Sequence, residues 1–322
     1  MSTTQSRRKP LRAVLGAVGV AALAATAACS TSSPAKTASA PGSSGAGGSS
    51  KVIQVTAAEN FWGSIATQLG GDHVKVTSII ANPDTDPHSY EPTAADGRNV
   101  AGADYVINNG IGYDAWSDKL LAANPASGRT ALKVGDLLGK KEGDNPHQWY
   151  SAESVTKVID RITADYKKMD PADAAYFDTQ KQTFTTRTLA KYTQLEADIK
   201  ATYAGTPIGA SESIVTPLAE SVGLKMLTPE TFLAAVSEGT DPTAADKATI
   251  DQQISGKQIK IYVYNSQNSN PDIVAQVNAA KAQGIPVAQV TETLAPANAT
   301  FQDWQTQQLQ GIADALKQAT GK

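Results

Sequence analysis

The sequence predicts an α/β protein of two lobes, each a mostly parallel sheet flanked by helices, joined by one long rigid helix. Short β-branched segments alternate with amphipathic helical ones at the spacing of βαβ units, once over 52–170 and again from 207 to the end. Between the two series runs a helical stretch, 171–203, with proline at its first turn. It carries Phe177, Phe184, Leu189, Tyr192, Leu195, Ile199 and Tyr203 on one stripe. About 33 residues at 1.5 Å each span ~50 Å, wider than one small domain. The threonines within 183–188 leave open a division into two shorter helices. With 322 residues the chain is long enough to close two cores.

The expected organisation has five parts. Residues 1–29 read as a lipoprotein signal: Arg7, Arg8, Lys9 and Arg12 form a basic head, 13–25 an apolar run, and Thr26-Ala27-Ala28 a small-residue cleavage site. Cys29 is the only cysteine, so no internal disulfide can form. Its place after the apolar run resembles the lipobox of bacterial lipoproteins, where that cysteine is acylated, although Thr26 stands where leucine is usual. Residues 30–50 are Ser, Ala, Thr, Gly and Pro with little else, a composition that cannot bury a core and reads as a flexible tether. Residues 51–170 form the N-terminal lobe, 171–203 the linking helix and 204–322 the C-terminal lobe. A net charge of -3 without a basic cluster after residue 51 argues against nucleic acid, and no later apolar run reaches the ~20 residues a membrane span needs.

In chain order, 52–56 reads as a strand and Asn60 opens a helix carrying Phe61, Trp62, Ile65 and Leu69 that stops at Gly70-Gly71. Strands are expected at 74–80, 104–108 and 130–134, with helices at 93–101, 113–123 and, capped by Ser151, up to Met169. After the linking helix the pattern restarts, with strands at 207–210, 224–227, 260–264 and 286–290 and a closing helix over 301–319.

Two of the three histidines, His88 and His147, sit in Pro-His turns that follow first-lobe strands, and Glu212 follows a strand of the second lobe. In open α/β sheets ligands bind beyond the carboxyl ends of the strands. Two imidazoles and a carboxylate converging there suit a divalent transition metal such as Zn, Mn, Fe or Ni. The third histidine, His73, precedes its strand and reads as structural.

The segments Ala57-Ala58-Glu59-Asn60-Phe61-Trp62-Gly63, Gly70-Gly71-Asp72-His73-Val74, Asp86-Pro87-His88-Ser89-Tyr90-Glu91-Pro92-Thr93 and Asn145-Pro146-His147-Gln148-Trp149 resemble the zinc and manganese solute-binding lipoproteins of bacterial ABC importers. The likeness runs from residue 51 to the end. It implies a metal held between the lobes by four side chains, three of which map onto His88, His147 and Glu212. Where the family usually offers the fourth, a carboxylate, this chain has Asn265-Ser266-Gln267-Asn268-Ser269-Asn270, leaving the position to an amide oxygen such as that of Asn270, to water, or to Asp272.

The resemblance further implies a monomeric receptor outside the cell, held to the outer face of the membrane by lipid alone, that passes its ion to an ABC permease and catalyses nothing. Zinc is favoured and manganese next, because N/O sites bind Zn²⁺ more tightly than Mn²⁺. Two alternatives stand beside it. A metallohydrolase using His88, His147 and Glu212 needs a general base, for which only Glu59 and Asp86 lie near in sequence. A receptor for an organic solute needs stacking aromatics, and Trp149 and Tyr90 are the candidates.

Overall fold

The computed structural model describes residues 51–268 and 270–322. The signal segment, Cys29 and the tether lie outside them. The N-terminal lobe holds a sheet of β1 (Ile53–Glu59), β2 (Val74–Ile80), β3 (Tyr105–Asn108) and β4 (Thr130–Lys133) in the order β2-β1-β3-β4. The C-terminal lobe repeats it with β5 (Pro207–Ala210), β6 (Lys225–Met226), β7 (Ile261–Asn265) and β8 (Val287–Val290) in the order β6-β5-β7-β8. Every pairing is parallel. Strand order reverses between β1 and β3 and again between β5 and β7, so each lobe has a crevice at the carboxyl ends of its strands.

The first strand runs three residues further than the alternation of apolar side chains suggests, to Glu59. Ala57 and Ala58 are buried on both faces, as parallel strands covered by helices are. The helix Asn60–Gly70 then buries Phe61, Trp62, Ile65 and Leu69. Phe61 stacks on Trp149, with ring centroids 3.9 Å apart, and Trp62 Nε1 donates to Asn109 Oδ1 at 3.0 Å. These contacts tie the first helix to the loops after β3 and β4, which fixes the floor beneath the strand ends.

Sequence local to each helix explains where it starts. Thr93 forms a capping box with Asp96 ahead of Ala94–Gly102. Ser151 Oγ accepts from Ser154 N at the head of Ala152–Met169, and Thr300 caps Phe301–Thr320 in the same way.

The connection between the lobes is helical throughout but is not a single α-helix. It comprises a 3₁₀ turn, Pro171–Asp173, then Ala174–Thr183, a π-helical turn Phe184–Thr188, and Ala190–Tyr203. Leu189 N reaches back five residues to Phe184 O, while Thr185 Oγ1 and Thr186 Oγ1 donate to Lys181 O and Gln182 O. Threonine hydroxyls that bond the preceding turn loosen the regular ladder, which is why the register shifts among these residues. The inserted turn keeps Phe177 and Phe184 on the buried side with Leu189, Tyr192 and Ile199 beyond it.

Buried Glu196 on the last of these segments accepts from Tyr192 Oη at 2.9 Å. Burial pushes its carboxyl up to about 7 and the tyrosine hydroxyl offsets only part of that. An acid with a raised value binds its proton more tightly in the folded chain. Its contribution to stability is therefore full below the ordinary value of 4.5 and is lost as pH rises through 7. Glu196→Gln keeps an acceptor for Tyr192 and removes the ionisation. Thermal unfolding between pH 5 and 8 should show a flatter profile for the variant and a gain of about 1–3 kcal/mol at pH 8; an unchanged profile would refute this account.

Candidate metal centre

The two crevices face one another, and the loops leaving their strands supply the site. His88 lies in the loop between β2 and Ala94–Gly102. Asp86 organises the turn, its Oδ1 accepting from His88 N at 2.9 Å and its Oδ2 from Ser89 Oγ at 2.8 Å. Trp116 Nε1 donates to Pro87 O, and the His88 ring meets Tyr113 edge-on at 4.7 Å. Rings and prolines thus hold the imidazole before any ligand arrives.

His147 is 1% exposed. Asn145 Oδ1 accepts from its backbone N at 3.0 Å and from its ring Nδ1 at 2.9 Å, while Asn145 Nδ2 donates to Ser213 O at 2.7 Å. Because that amide must turn its oxygen to the ring, Nδ1 carries the proton and Nε2 of the neutral imidazole is a bare lone pair.

That lone pair faces a carboxylate. His147 Nε2 lies 3.2 Å from Glu292 Oε1, and His88 Nε2 lies 3.3 Å from the same oxygen. The ligand atoms of His88, His147 and Glu292 all fall within 4.8 Å of one another. Glu212 stands outside this triad but lines the same cavity, of about 560 Å³, with His88 and Glu292. Its Oε2 accepts from Asn268 Nδ2 at 3.1 Å, whereas its Oε1 is buried without a hydrogen-bond partner.

The electrostatics divide the protons unevenly. At Glu292, burial alone would raise the carboxyl, but the imidazoles of His147 and His88 beside it, whenever either is protonated towards it, hold it down at about 2. At His88, burial works to lower the imidazole, yet the bond to Glu292 and its charge outweigh that and raise it above 6.5. At His147, burial wins over the pull of Glu292, and the ring is lowered. Glu212 is pushed up to about 7, by burial first and then by the charge of Glu292. The site thus pairs an ionised Glu292 with one imidazole raised, His88, and one lowered, His147, beside a Glu212 whose burial favours its protonated form.

The nominated fourth ligands lie elsewhere. Asn270 Oδ1 caps the helix Pro271–Ala282 by accepting from Asp272 N, and Asp272 pairs with Lys247. The helix start consumes both side chains, and neither turns towards the histidines. The acid that does is Glu292, which the sequence reading passed over. Its signal was available, because it stands two residues beyond β8, the same kind of strand-end position that singled out Glu212. Trp149 is fully buried against Phe61, and Tyr90 packs on Trp116 with its hydroxyl on Asp96, so both brace the ligand turns and neither offers a stacking face. His73 sits at the opposite end of the sheet, 3.2 Å from Asp173 and 3.7 Å from Asp170, with its ring against Tyr176.

Residues 55–315 match the family described as zinc-uptake complex component A, periplasmic. The chain belongs to this family. Among its relatives, the manganese-binding lipoprotein MntA of Bacillus subtilis is 26% identical over 241 residues, 72% of this chain and 77% of that protein. The zinc-binding lipoprotein AdcA of Streptococcus pneumoniae is 27% identical over 227 residues. That match takes in 63% of this chain but 43% of AdcA, so the chain spans less than half of that relative's length. The fold is shared with the Mn-bound periplasmic metal binding protein of Candidatus Liberibacter asiaticus, with a TM-score of 0.68 at 23% identity, covering 81% of this chain and 98% of that one. It is shared too with a laminin-binding adhesin of Streptococcus agalactiae, with a TM-score of 0.67 at 17% identity, covering 82% of this chain and all of the adhesin. The zinc-uptake family comprises metal-binding solute receptors of ABC transporters, and the site described above is where the two lobes of this member meet.

Glu292 is the main influence raising His88. In metal-free Glu292→Gln, only the charges of Asp86 and Glu212 remain to oppose burial, so His88 should titrate lower than in the wild type, read from the pH titration of its ring protons by NMR. An unshifted titration would show that the two groups do not interact.

Proposed function

We propose that this protein is an extracytoplasmic receptor, anchored by an acylated Cys29, that captures a divalent transition metal between its lobes and delivers it as a monomer to an ABC permease. One observation carries the reading: the bare Nε2 of a buried, neutral His147 faces an ionised carboxylate oxygen at 3.2 Å. Two electron-rich atoms at that separation need a positive charge between them, and His88 Nε2 points into the same space. We assign His88, His147 and Glu292 as ligands, with Glu212 completing the set through its unpartnered Oε1. Two neutral imidazoles and two carboxylates balance the charge of a divalent ion. Asn145, through Nδ1 of His147, fixes the ring and raises its basicity.

A donor set of two nitrogens and two carboxylates favours Zn²⁺, with Mn²⁺ next, since intrinsic affinity at such sites rises from Mn to Zn. Four protein ligands close the coordination sphere, whereas catalytic zinc sites keep a position open for water. The receptor reading is therefore preferred over hydrolysis. Among the described residues no helix is long and apolar enough to cross a membrane, which accords with attachment through lipid.

Metal-stripped protein should take up one tightly held equivalent of Zn²⁺ and prefer it to Mn²⁺ in competition. His147→Ala and Glu292→Ala should each weaken binding at least ~100-fold, whereas Asp272→Ala should leave it unchanged. Retention of affinity in Glu292→Ala would remove the assignment. Affinity should also be lower at pH 5 than at pH 7.5, because protons compete for the ligand atoms; equal affinities would count against the histidines as ligands.

A further inference from the structure

Gln267 leaves β7 inside the segment that lacks the expected acid, and all four hydrogen-bonding positions of its amide are filled. Its Oε1 accepts from Glu292 N at 2.6 Å and from Thr293 N at 3.1 Å. Its Nε2 donates to Thr293 Oγ1 at 3.0 Å and, across the lobe boundary, to Pro83 O at 2.6 Å. The orientation of the amide is unambiguous, because a flip would set its NH₂ against two N–H donors and its oxygen against a carbonyl. Pro83 belongs to the loop that carries His88.

A single side chain therefore grips the backbone of Glu292 in one lobe and the backbone of the His88 loop in the other. Asn145 does the converse from the first lobe, its oxygen holding His147 and its NH₂ holding Ser213 O, one residue beyond Glu212. Each bridge links a ligand of its own lobe to a ligand-bearing loop of the opposite lobe. Backbone bonds to a loop constrain where its ligand can go without entering the coordination sphere.

We propose that Gln267 is a positioning residue, a cross-lobe latch that holds the His88 loop against Glu292 and thereby sets how long the metal stays bound. The inference rests on the receptor reading above. Release of the ion requires the two sets of ligands to part, and the Gln267–Pro83 bond must break for the His88 loop to withdraw from Glu292. With the latch present, metal leaves slowly. Without it, the same ligands bind the same ion in the same geometry but separate more readily.

The test is a chelator chase of Zn²⁺-loaded full-length protein, run beside the absorption spectrum of the Co²⁺-loaded form. Gln267→Leu, close in size but without polar atoms, should release Zn²⁺ about 10-fold faster with an unchanged Co²⁺ spectrum. Gln267→Glu serves if the leucine variant does not fold. It keeps the acceptor for Glu292 N, loses the donor to Pro83, and adds a negative charge that by itself slows release of a cation. Faster release from Gln267→Glu therefore supports the latch despite that charge. Wild-type release from Gln267→Leu, or release at or below the wild-type rate from Gln267→Glu where that variant is needed, overturns the proposal. An altered Co²⁺ spectrum in Gln267→Leu also overturns it, by placing Gln267 in the ligand set. Wild-type protein that holds no metal removes the receptor reading first, before any variant is made.

Discussion

A carboxylate oxygen 3.2 Å from the bare nitrogen of a buried imidazole is a repulsive arrangement unless a cation or a proton lies between them. Much of the surrounding structure serves to maintain it. Asn145 denies His147 the tautomer that would relieve the contact, Gln267 pins the backbone of Glu292, and Tyr113 with Trp149 crowds the ring side of both histidines. The proposed ligands are thus held in place by the protein itself. Little side-chain entropy then remains to be lost on binding.

The two lobes share one strand order, so a proposed ligand arrives from the connection that follows the last strand of each, His147 after β4 and Glu292 after β8. The same architecture places Asn145 and Gln267 to reach in opposite directions across the boundary. A site built this way depends on the lobes keeping their relative register. Burial of aromatic surface supplies much of that register. Phe61, Trp149 and Tyr150 pack beneath the first lobe's loops, and Tyr150 Oη donates to Thr291 O beside Glu292.

The fold was legible because parallel sheets leave a strong periodic trace, and because proline, glycine and capping residues punctuate it at Pro171, Gly70-Gly71, Thr93 and Ser151. Two histidines were legible because Pro-His turns after strands are rare features. The fourth ligand was sought where the resemblance placed an acid, in 265–272, and there the residues fulfil local duties instead. Asn270 and Asp272 satisfy the amino end of one helix and an ion pair to Lys247, a competition for side chains that only the folded chain reveals. Glu292 lies in Thr291-Glu292-Thr293, with no proline or histidine to mark it, so its place just beyond a strand was its one signal, and in the folded chain Gln267 holds its backbone. The π-helical turn at Phe184–Thr188 was half legible. The threonines marked the place, but whether their hydroxyls break the helix or are absorbed into it depends on Phe184 finding a buried seat on the far side of the turn.

That helical connection constrains how a receptor of this shape can respond to its ion. Helix Ala190–Tyr203 packs along the closing helix Phe301–Thr320, with Tyr192 against Phe301, and Tyr166 and Phe177 tie the earlier part into the first lobe. Wide opening of the lobes about such a strut would expose these rings, each worth several kcal/mol of burial. Movement of the ligand loops asks for far less. The His88 loop carries three prolines and few buried side chains, and its cross-lobe anchor is the bond from Gln267 to Pro83. On these grounds the latch proposed at Gln267 asks only for local withdrawal of that loop, with the lobes keeping their relative position.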